Sequence, residues 1–191
     1  KKDHSCVLIE ATANQVDQNG GYTGMNPKAF RQFVYEIAEE LTFPIHRIFL
    51  GGDHLGPLTF AKQKEKEAME AASELVRCYV EAGFTKIHID TSMKLADDDP
   101  KKRLRDEVIA RRAALLVRVC EDAYQHLLQQ DPHAIAPVYI IGSEVPIPGG
   151  AKEANSDVSI TKVDDFKASV EAFQQAFQSA GLEKQWNDVI A

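Results

Sequence analysis

The sequence alternates four times between short apolar runs and longer amphipathic stretches. Each apolar run has the length of a buried β-strand, and each amphipathic stretch repeats its apolar residues at helical spacing. The predicted strands cover residues 6–12, 47–54, 86–92 and 138–145. Because strands that alternate with helices form parallel sheets with right-handed crossovers, the chain is predicted to be an α/β protein.

Local patterns indicate where the predicted helices begin and end. Asn26 followed by Pro27 is typical of an N-cap and the first helical position. Gly83 and Gly181 stand where the C-terminal ends of two helices are expected. The apolar residues 189–191, after the last helix, predict the start of a fifth strand.

A carboxylate stands at or near the end of every predicted strand, at Glu10, Asp53, Asp90 and Glu144. In a closed barrel these acids would meet at one mouth, which is where such barrels carry their chemistry. A (β/α)8 TIM barrel usually needs about 250 residues, and four units make up only half of one. We therefore expect a single domain, residues 1–191, that is part of a TIM barrel in a longer chain. An open sheet and a paired half-barrel are the alternatives.

Composition argues against several classes of protein. The formal net charge of −7 disfavours a nucleic-acid partner, since nucleic-acid-binding proteins usually show a basic face. No apolar run approaches the roughly 20 residues of a membrane span, so no membrane association is expected. The three cysteines are odd in number and far apart, which favours free thiols in a reducing cytoplasm. Neither the G-x-G-x-x-G fingerprint nor a Walker motif is present.

Asp53 and His54 are the leading candidates for a functional site, because they end an apolar strand and a Gly56-Pro57 break follows. His88 shares the face of Asp90 by strand alternation and could point inward. A lone histidine in an apolar strand is more often a packed core residue, and we interpret His88 in this way.

Three other polar stretches have a structural as well as a functional interpretation. The glycine-rich loop 14–24 is long enough to line a polar substrate, and a solvated surface turn is an equally good interpretation. The three aspartates at 97–99 lack the alternating ligands and the glycine of a calcium loop. We interpret them, and the charged segment 61–67 that begins a helix, as solvated surface.

Several motifs, spread in order over essentially the whole chain, are long enough to be distinctive. They are residues 9–12 (IEAT) with 14–17 (NQVD), 20–25 (GGYTGM), 50–57 (LGGDHLGP), 88–90 (HID) with 92–93 (SM), and 141–146 (IGSEVP) with 148–150 (PGG). Together they resemble the Z-type subunit of D-tagatose-1,6-bisphosphate aldolase, of the galactitol and N-acetylgalactosamine pathways. That family has also been labelled tagatose-6-phosphate kinase. The resemblance implies a TIM barrel of more than twice this length.

The resemblance also implies a partner. Z-type subunits are described as non-catalytic, and they stabilise and activate a Y-type subunit, a zinc-dependent class II aldolase that acts on a sugar phosphate. Association into a homo-oligomer stays open. The alternative functions are a self-sufficient zinc aldolase, a sugar-phosphate kinase, and a scaffold whose acids only cap helices and bond loops. The kinase gains no support, because the sequence has no phosphate-cradling glycine loop with an adjacent lysine.

The Y-type aldolases share the Asp-His pattern and imply roles for the site residues. By motif, Asp53 would be the acid/base and His54 a zinc ligand, with Asp90 and Glu144 as carboxylates near the metal. Zinc would polarise a ketose carbonyl while a carboxylate moves the proton. Leu55 stands where the catalytic partners have a second histidine, so the sequence does not predict a complete zinc site. The candidate substrate-binding residues are Asn14, Gln15, Ser92, Gly149 and Gly150.

Overall fold

The computed structural model describes residues 4–142 and 163–190. Its four strands form one parallel sheet in the order β1-β2-β3-β4. The strands are β1 Val7–Thr12, β2 Ile48–Leu55, β3 Lys86–Ile89 and β4 Val138–Ile141. The helices are α1 Pro27–Glu40, α2 Glu65–Glu81, α3 Asp106–Gln130, α4 Val163–Ser179 and α5 Glu183–Asp188, with short 3-10 turns at Ile45–Arg47 and Pro57–Phe60. This is the predicted α/β fold, with the strand order of consecutive units of a TIM barrel.

The predicted ends of the helices are confirmed by their hydrogen bonds and backbone angles. The Asn26 side chain accepts a hydrogen bond from the backbone N–H of Ala29 at 2.9 Å, and Pro27 is the first residue of α1. Gly83 and Gly181, just beyond α2 and α4, have φ values of 82° and 64°. A side chain is disfavoured in this left-handed region, which is why glycine ends these helices.

The hydrophobic core lies between the sheet and the helices that cover one of its faces. Tyr79 of α2 is fully buried there, and its hydroxyl donates a hydrogen bond to the carbonyl of Val16 at 2.8 Å. This bond ties the start of the loop after β1 to the core. The buried strand residues that face the helices include Ala11, Leu50, Ile87, Ile89 and Tyr139.

The opposite face of the sheet carries polar side chains. Glu10 and Gly51 are register partners, and so are Gly51 and Lys86, so these residues share a face with Asp53 and His88. All four of these polar side chains are partly exposed, and they contact one another rather than the core. We call this surface, made of Glu10, Asp53, Lys86 and His88, the polar face.

The predicted fifth strand is supported beside β4. The backbone N–H of Tyr139 donates to the carbonyl of Val189 at 2.9 Å, and Tyr139 forms an isolated parallel bridge with Ile190. The predicted length of the third strand was wrong, because β3 ends at Ile89 and residues 90–92 already belong to the following loop. None of the helices in the described residues is long and apolar enough to cross a membrane.

The interpretation of the acidic loop and of the charged segment as solvated surface was wrong for Glu65 and Asp98, which are only partly exposed. Arg112 of α3 is completely buried and donates to Glu65 at 2.7 Å and to Asp98 at 2.9 Å. Asp97 accepts a hydrogen bond from the backbone N–H of Glu65 at 2.9 Å and so caps the start of α2. The loop after β3 is therefore fastened to α2 and α3 by this network, which also includes Arg111.

The network makes stability depend on pH. Burial by itself would raise the pKa of Glu65, but hydrogen bonds from Arg112 and Arg111 outweigh it and hold the pKa below its usual value. The stabilisation is therefore complete above the ordinary glutamate pKa of about 4.3 and is lost as the pH falls below it. We expect the free energy of unfolding to decline less between pH 6 and pH 3 in Glu65→Gln than in the wild type. Urea unfolding measures this, and Glu70→Gln, exposed on the same helix, should behave like the wild type.

A residue without a side chain is needed at position 56, because the main chain of Asp90 packs directly against Gly56. A Cβ atom at this position would lie 1.8 Å from the carbonyl oxygen of Asp90. Since that oxygen belongs to the main chain, the strand ends would have to move apart. We expect Gly56→Ala to lower the free energy of unfolding by about 3 kcal/mol in a urea titration. Gly142→Ala, where a Cβ would meet no described atom within 4 Å, is the control. Equal stability of the two variants would contradict this account.

Candidate metal centre

The Asp53 carboxylate of the polar face lies between two imidazoles, those of His88 and of the adjacent residue His54. Nδ1 of His54 lies 2.8 Å from Oδ2 of Asp53, and Nδ1 of His88 lies 2.8 Å from Oδ1 of the same carboxylate. The two rings have centroids 4.6 Å apart and are tilted by 59°. Because an ionised carboxylate only accepts hydrogen bonds, each ring donates from the nitrogen that faces it. Asp53 therefore orients both imidazoles.

The end of β2 is irregular, and the irregularity brings two neighbouring side chains together. Successive side chains of a regular strand point to opposite faces, so Asp53 and His54 would otherwise lie on opposite sides of the sheet. The pairing with β3 shifts register between Gly52 and Leu55, and His54 has a φ of 53°. Residues other than glycine rarely adopt such an angle, and strain of this kind concentrates at functional sites.

The cationic member of the polar face is Lys86. Nζ of Lys86 lies 3.1 Å from Oδ1 of Asp53 and also donates to Oε1 of Glu10. Burial alone would raise the pKa of Asp53, but hydrogen bonds from His88, His54 and Lys86 outweigh it. The pKa of this carboxyl therefore lies well below its ordinary value. Asp53 is ionised at neutral pH and is available as a ligand.

The donor set fits a divalent cation such as zinc. Asp53, His54 and His88 each offer one ligand atom, and these three atoms lie within 4.8 Å of one another. Ligands of a zinc ion at about 2.1 Å are about 3.4 Å apart, so the three atoms would draw closer, and each ring would bind through a nitrogen that carries no proton. Imidazole and carboxylate are ordinary zinc ligands, and three protein ligands leave one position open for another molecule.

Other predicted site residues lie outside this cluster. The carboxylate of Asp90 accepts hydrogen bonds from the backbone N–H of Ser92 at 2.9 Å and from its hydroxyl at 2.7 Å. Among the described residues, the cluster that could hold a metal does not include Asp90. The reason is that β3 ends at Ile89, so the alternation that places His88 on the polar face stops before Asp90.

The loop after β1 is organised by its own hydrogen bonds. Gln15 Oε1 accepts from the backbone N–H of Thr12 at 2.8 Å, and the carbonyl of Asn14 accepts from Tyr22 at 3.0 Å. A substrate-binding role for Asn14, Gln15 and Ser92 stays a prediction. Three further predicted residues, Glu144, Gly149 and Gly150, lie outside the described residues.

Two residues of the site were missed in the sequence. His88 was interpreted as a packed core residue, yet its ring contacts Asp53. Lys86 was not singled out, although it lies two residues from His88 and therefore on the same face of the strand. A lysine and a histidine alternating in an otherwise apolar strand are the pattern that could have indicated both.

The chain is therefore an α/β protein of the β/α-barrel type, with a candidate metal centre towards the ends of its parallel strands. Residues 1–191 match the model of a family described as D-tagatose-1,6-bisphosphate aldolase subunit GatZ/KbaZ-like. The chain belongs to this GatZ/KbaZ-like family. The resemblance seen in the sequence motifs is thereby confirmed.

Relatives support the same assignment. Proteins named D-tagatose-1,6-bisphosphate aldolase subunit GatZ, from Salmonella gallinarum and Salmonella dublin, are each 48% identical over 185 residues. The match covers 97% of this chain and 42% of each relative, so the chain spans less than half of their length. A crystal structure described as a probable tagatose 6 phosphate kinase from Sinorhizobium meliloti 1021 has a TM-score of 0.79 and 39% identity, covering 97% of this chain and 41% of that one.

Proposed function

We propose that the protein to which this chain belongs is a subunit of a D-tagatose-1,6-bisphosphate aldolase in the catabolism of galactitol or N-acetylgalactosamine. In this role it stabilises and activates a zinc-dependent catalytic Y-type subunit. The observation that carries the proposal is the 48% identity over 97% of the chain to relatives named as that subunit. The proposed metal-binding site of this subunit is the cluster of Asp53, His54 and His88.

The residues of this chain would divide the work at that site. His54 and His88 would hold a zinc ion together with Asp53, and the ion would supply Lewis-acid polarisation of a ketose carbonyl. The resemblance would make Asp53 the acid/base of an active site, a role that its carboxylate does not fill while it binds the ion. Asp90 and Glu144 remain proposed neighbours of the metal.

One sequence difference from the catalytic subunits fits a non-catalytic role. Leu55 stands where the resemblance implies a second histidine, and it is completely buried in the hydrophobic core. An apolar side chain in the core contributes neither a ligand nor a proton. The described part of the site therefore retains the first two residues of the Asp-His-His pattern, with His88 as an added imidazole from β3.

The subunit role is tested by measuring cleavage of D-tagatose 1,6-bisphosphate. The intact protein is assayed alone, a Y-type partner is assayed alone, and the two are assayed after co-expression. We expect activity to depend on the partner and to be higher and longer-lived in the co-expressed pair. Strong cleavage by the intact protein alone would contradict the subunit role and favour a self-sufficient aldolase. ATP consumption that requires tagatose 6-phosphate would instead favour the kinase.

His88 is expected to be required for tight metal binding. Because it supplies one of three clustered ligand atoms, His88→Gln should weaken zinc binding by the intact protein at least about tenfold. Isothermal titration calorimetry measures the affinity. His126→Gln, exposed on α3, is the matched control and should bind like the wild type. Equal affinities for all three proteins would remove His88 from the site.

A further inference from the structure

Lys86 reaches across a strand to meet Glu10. The two residues belong to β3 and β1, which are separated by β2 in the sheet. The residue between them is Gly51, the register partner of both. A Cβ at Gly51 would lie 2.8 Å from Cγ of Glu10 and 3.1 Å from Cδ of Lys86. The bare glycine therefore leaves the space in which the two long side chains cross.

The ammonium of Lys86 is committed to two carboxylates. It donates to Oε1 of Glu10 and lies 3.1 Å from Oδ1 of Asp53, which is also the oxygen that His88 contacts. The Lys86 side chain is only 17% exposed. A charge placed this close and shielded from water acts more strongly than a surface charge.

The three charged side chains at the cluster, Glu10, Asp53 and Lys86, together carry one net negative charge. Glu10 and Asp53 each contribute one negative charge and Lys86 contributes one positive charge. A divalent cation held by Asp53 would lie within a few ångströms of the ammonium and be repelled by it. Without the ammonium, two carboxylates would face the cation and Glu10 would lose its partner.

We propose that Lys86 is the internal counter-ion of the candidate metal centre. Its ammonium occupies Glu10 and one oxygen of Asp53, and so limits the affinity of the cluster for divalent cations. Lys86 is a positioning residue that acts through these two carboxylates. The inference rests on the proposed metal centre and adds to it the residue that tunes its affinity.

The test is the zinc affinity of the intact protein by isothermal titration calorimetry, with the absorption spectrum of bound Co²⁺ as a second readout. Lys86→Met removes a positive charge about 5 Å from the ion, so this variant should bind zinc at least about tenfold more tightly than the wild type. The double variant Lys86→Met, Glu10→Gln restores the net charge and should bind within about threefold of the wild type. The Co²⁺ spectrum should change in Lys86→Met and revert in the double variant. Lys184→Met, exposed on α5, should bind like the wild type.

Each outcome decides the proposal. Equal or weaker binding by a folded Lys86→Met, with zinc still bound by the wild type, would overturn the counter-ion role and leave the metal centre standing. If neither protein binds zinc, the metal centre fails as well. If circular dichroism shows that Lys86→Met is unfolded, Lys86→Gln keeps a polar side chain of similar length and is held to the same criterion. Loss of folded structure would not by itself tighten zinc binding, so it cannot mimic the expected result.

Discussion

Replacing Asp53 with asparagine is expected to weaken zinc binding by the intact protein at least about 100-fold. The carboxylate is within hydrogen-bonding distance of both imidazoles and of Lys86, so it links the two candidate histidine ligands to the neighbouring cation. An amide is uncharged and presents an N–H₂ group where one ring nitrogen now donates. The substitution therefore removes a ligand and disturbs the orientation of both histidines.

Calorimetry of zinc binding measures this effect, with circular dichroism to verify the fold. The matched control is Asp122→Asn, an exposed acid on α3, which should leave the affinity unchanged. Zinc binding by Asp53→Asn within about threefold of the wild type would show that the carboxylate is not part of a metal centre.

The second large effect is expected at Arg112, away from the site. The guanidinium is completely buried and bonds both Glu65 and Asp98, with the carbonyl of Met93 at 3.5 Å. Arg112→Met keeps much of the volume but leaves two carboxylates without their cation. Removing one partner of a buried ion pair typically costs about 3–5 kcal/mol. We expect about 3 kcal/mol, because Glu65 and Asp98 keep 29% and 15% of their side chains exposed.

Arg111 supplies a neighbouring control for this measurement. It also pairs with Glu65, but its side chain is 56% exposed, and an exposed pair contributes at most about 1 kcal/mol. Urea unfolding should therefore separate Arg112→Met from Arg111→Met by about 2 kcal/mol. Equal losses would mean that burial of Arg112 has no energetic consequence. Amide hydrogen exchange should also rise in residues 94–98 of Arg112→Met, because Asp98 would lose its anchor.

Sequence patterns predicted the parts of the fold that depend on local chemistry. The strand and helix periods gave the parallel α/β sheet, and Asn26 with Pro27 and the two cap glycines gave helix ends. Asp53 was recognised because a polar residue at the end of an apolar strand stands out in the sequence. Each of these inferences needs only residues that are close together in the chain.

The parts that could not be predicted depend on contacts between distant segments. His88 meets Asp53 because β3 pairs with β2, and His54 joins them because the register shifts locally. Strand alternation alone cannot show such a shift. The contact between Asp98 and Arg112 likewise forms only when the loop after β3 folds back onto α3. Charged residues that look solvated in a sequence can therefore be the anchors of a loop.

Zinc anomalous scattering from crystals of the intact protein grown with zinc would show whether Asp53, His54 and His88 bind the ion. Data measured above and below the zinc absorption edge locate the ion without reference to activity or partners. We expect a single strong peak bounded by Asp53, His54 and His88. Zinc bound elsewhere, with Asp53 still bonded to both imidazoles and to Lys86, would contradict this expectation.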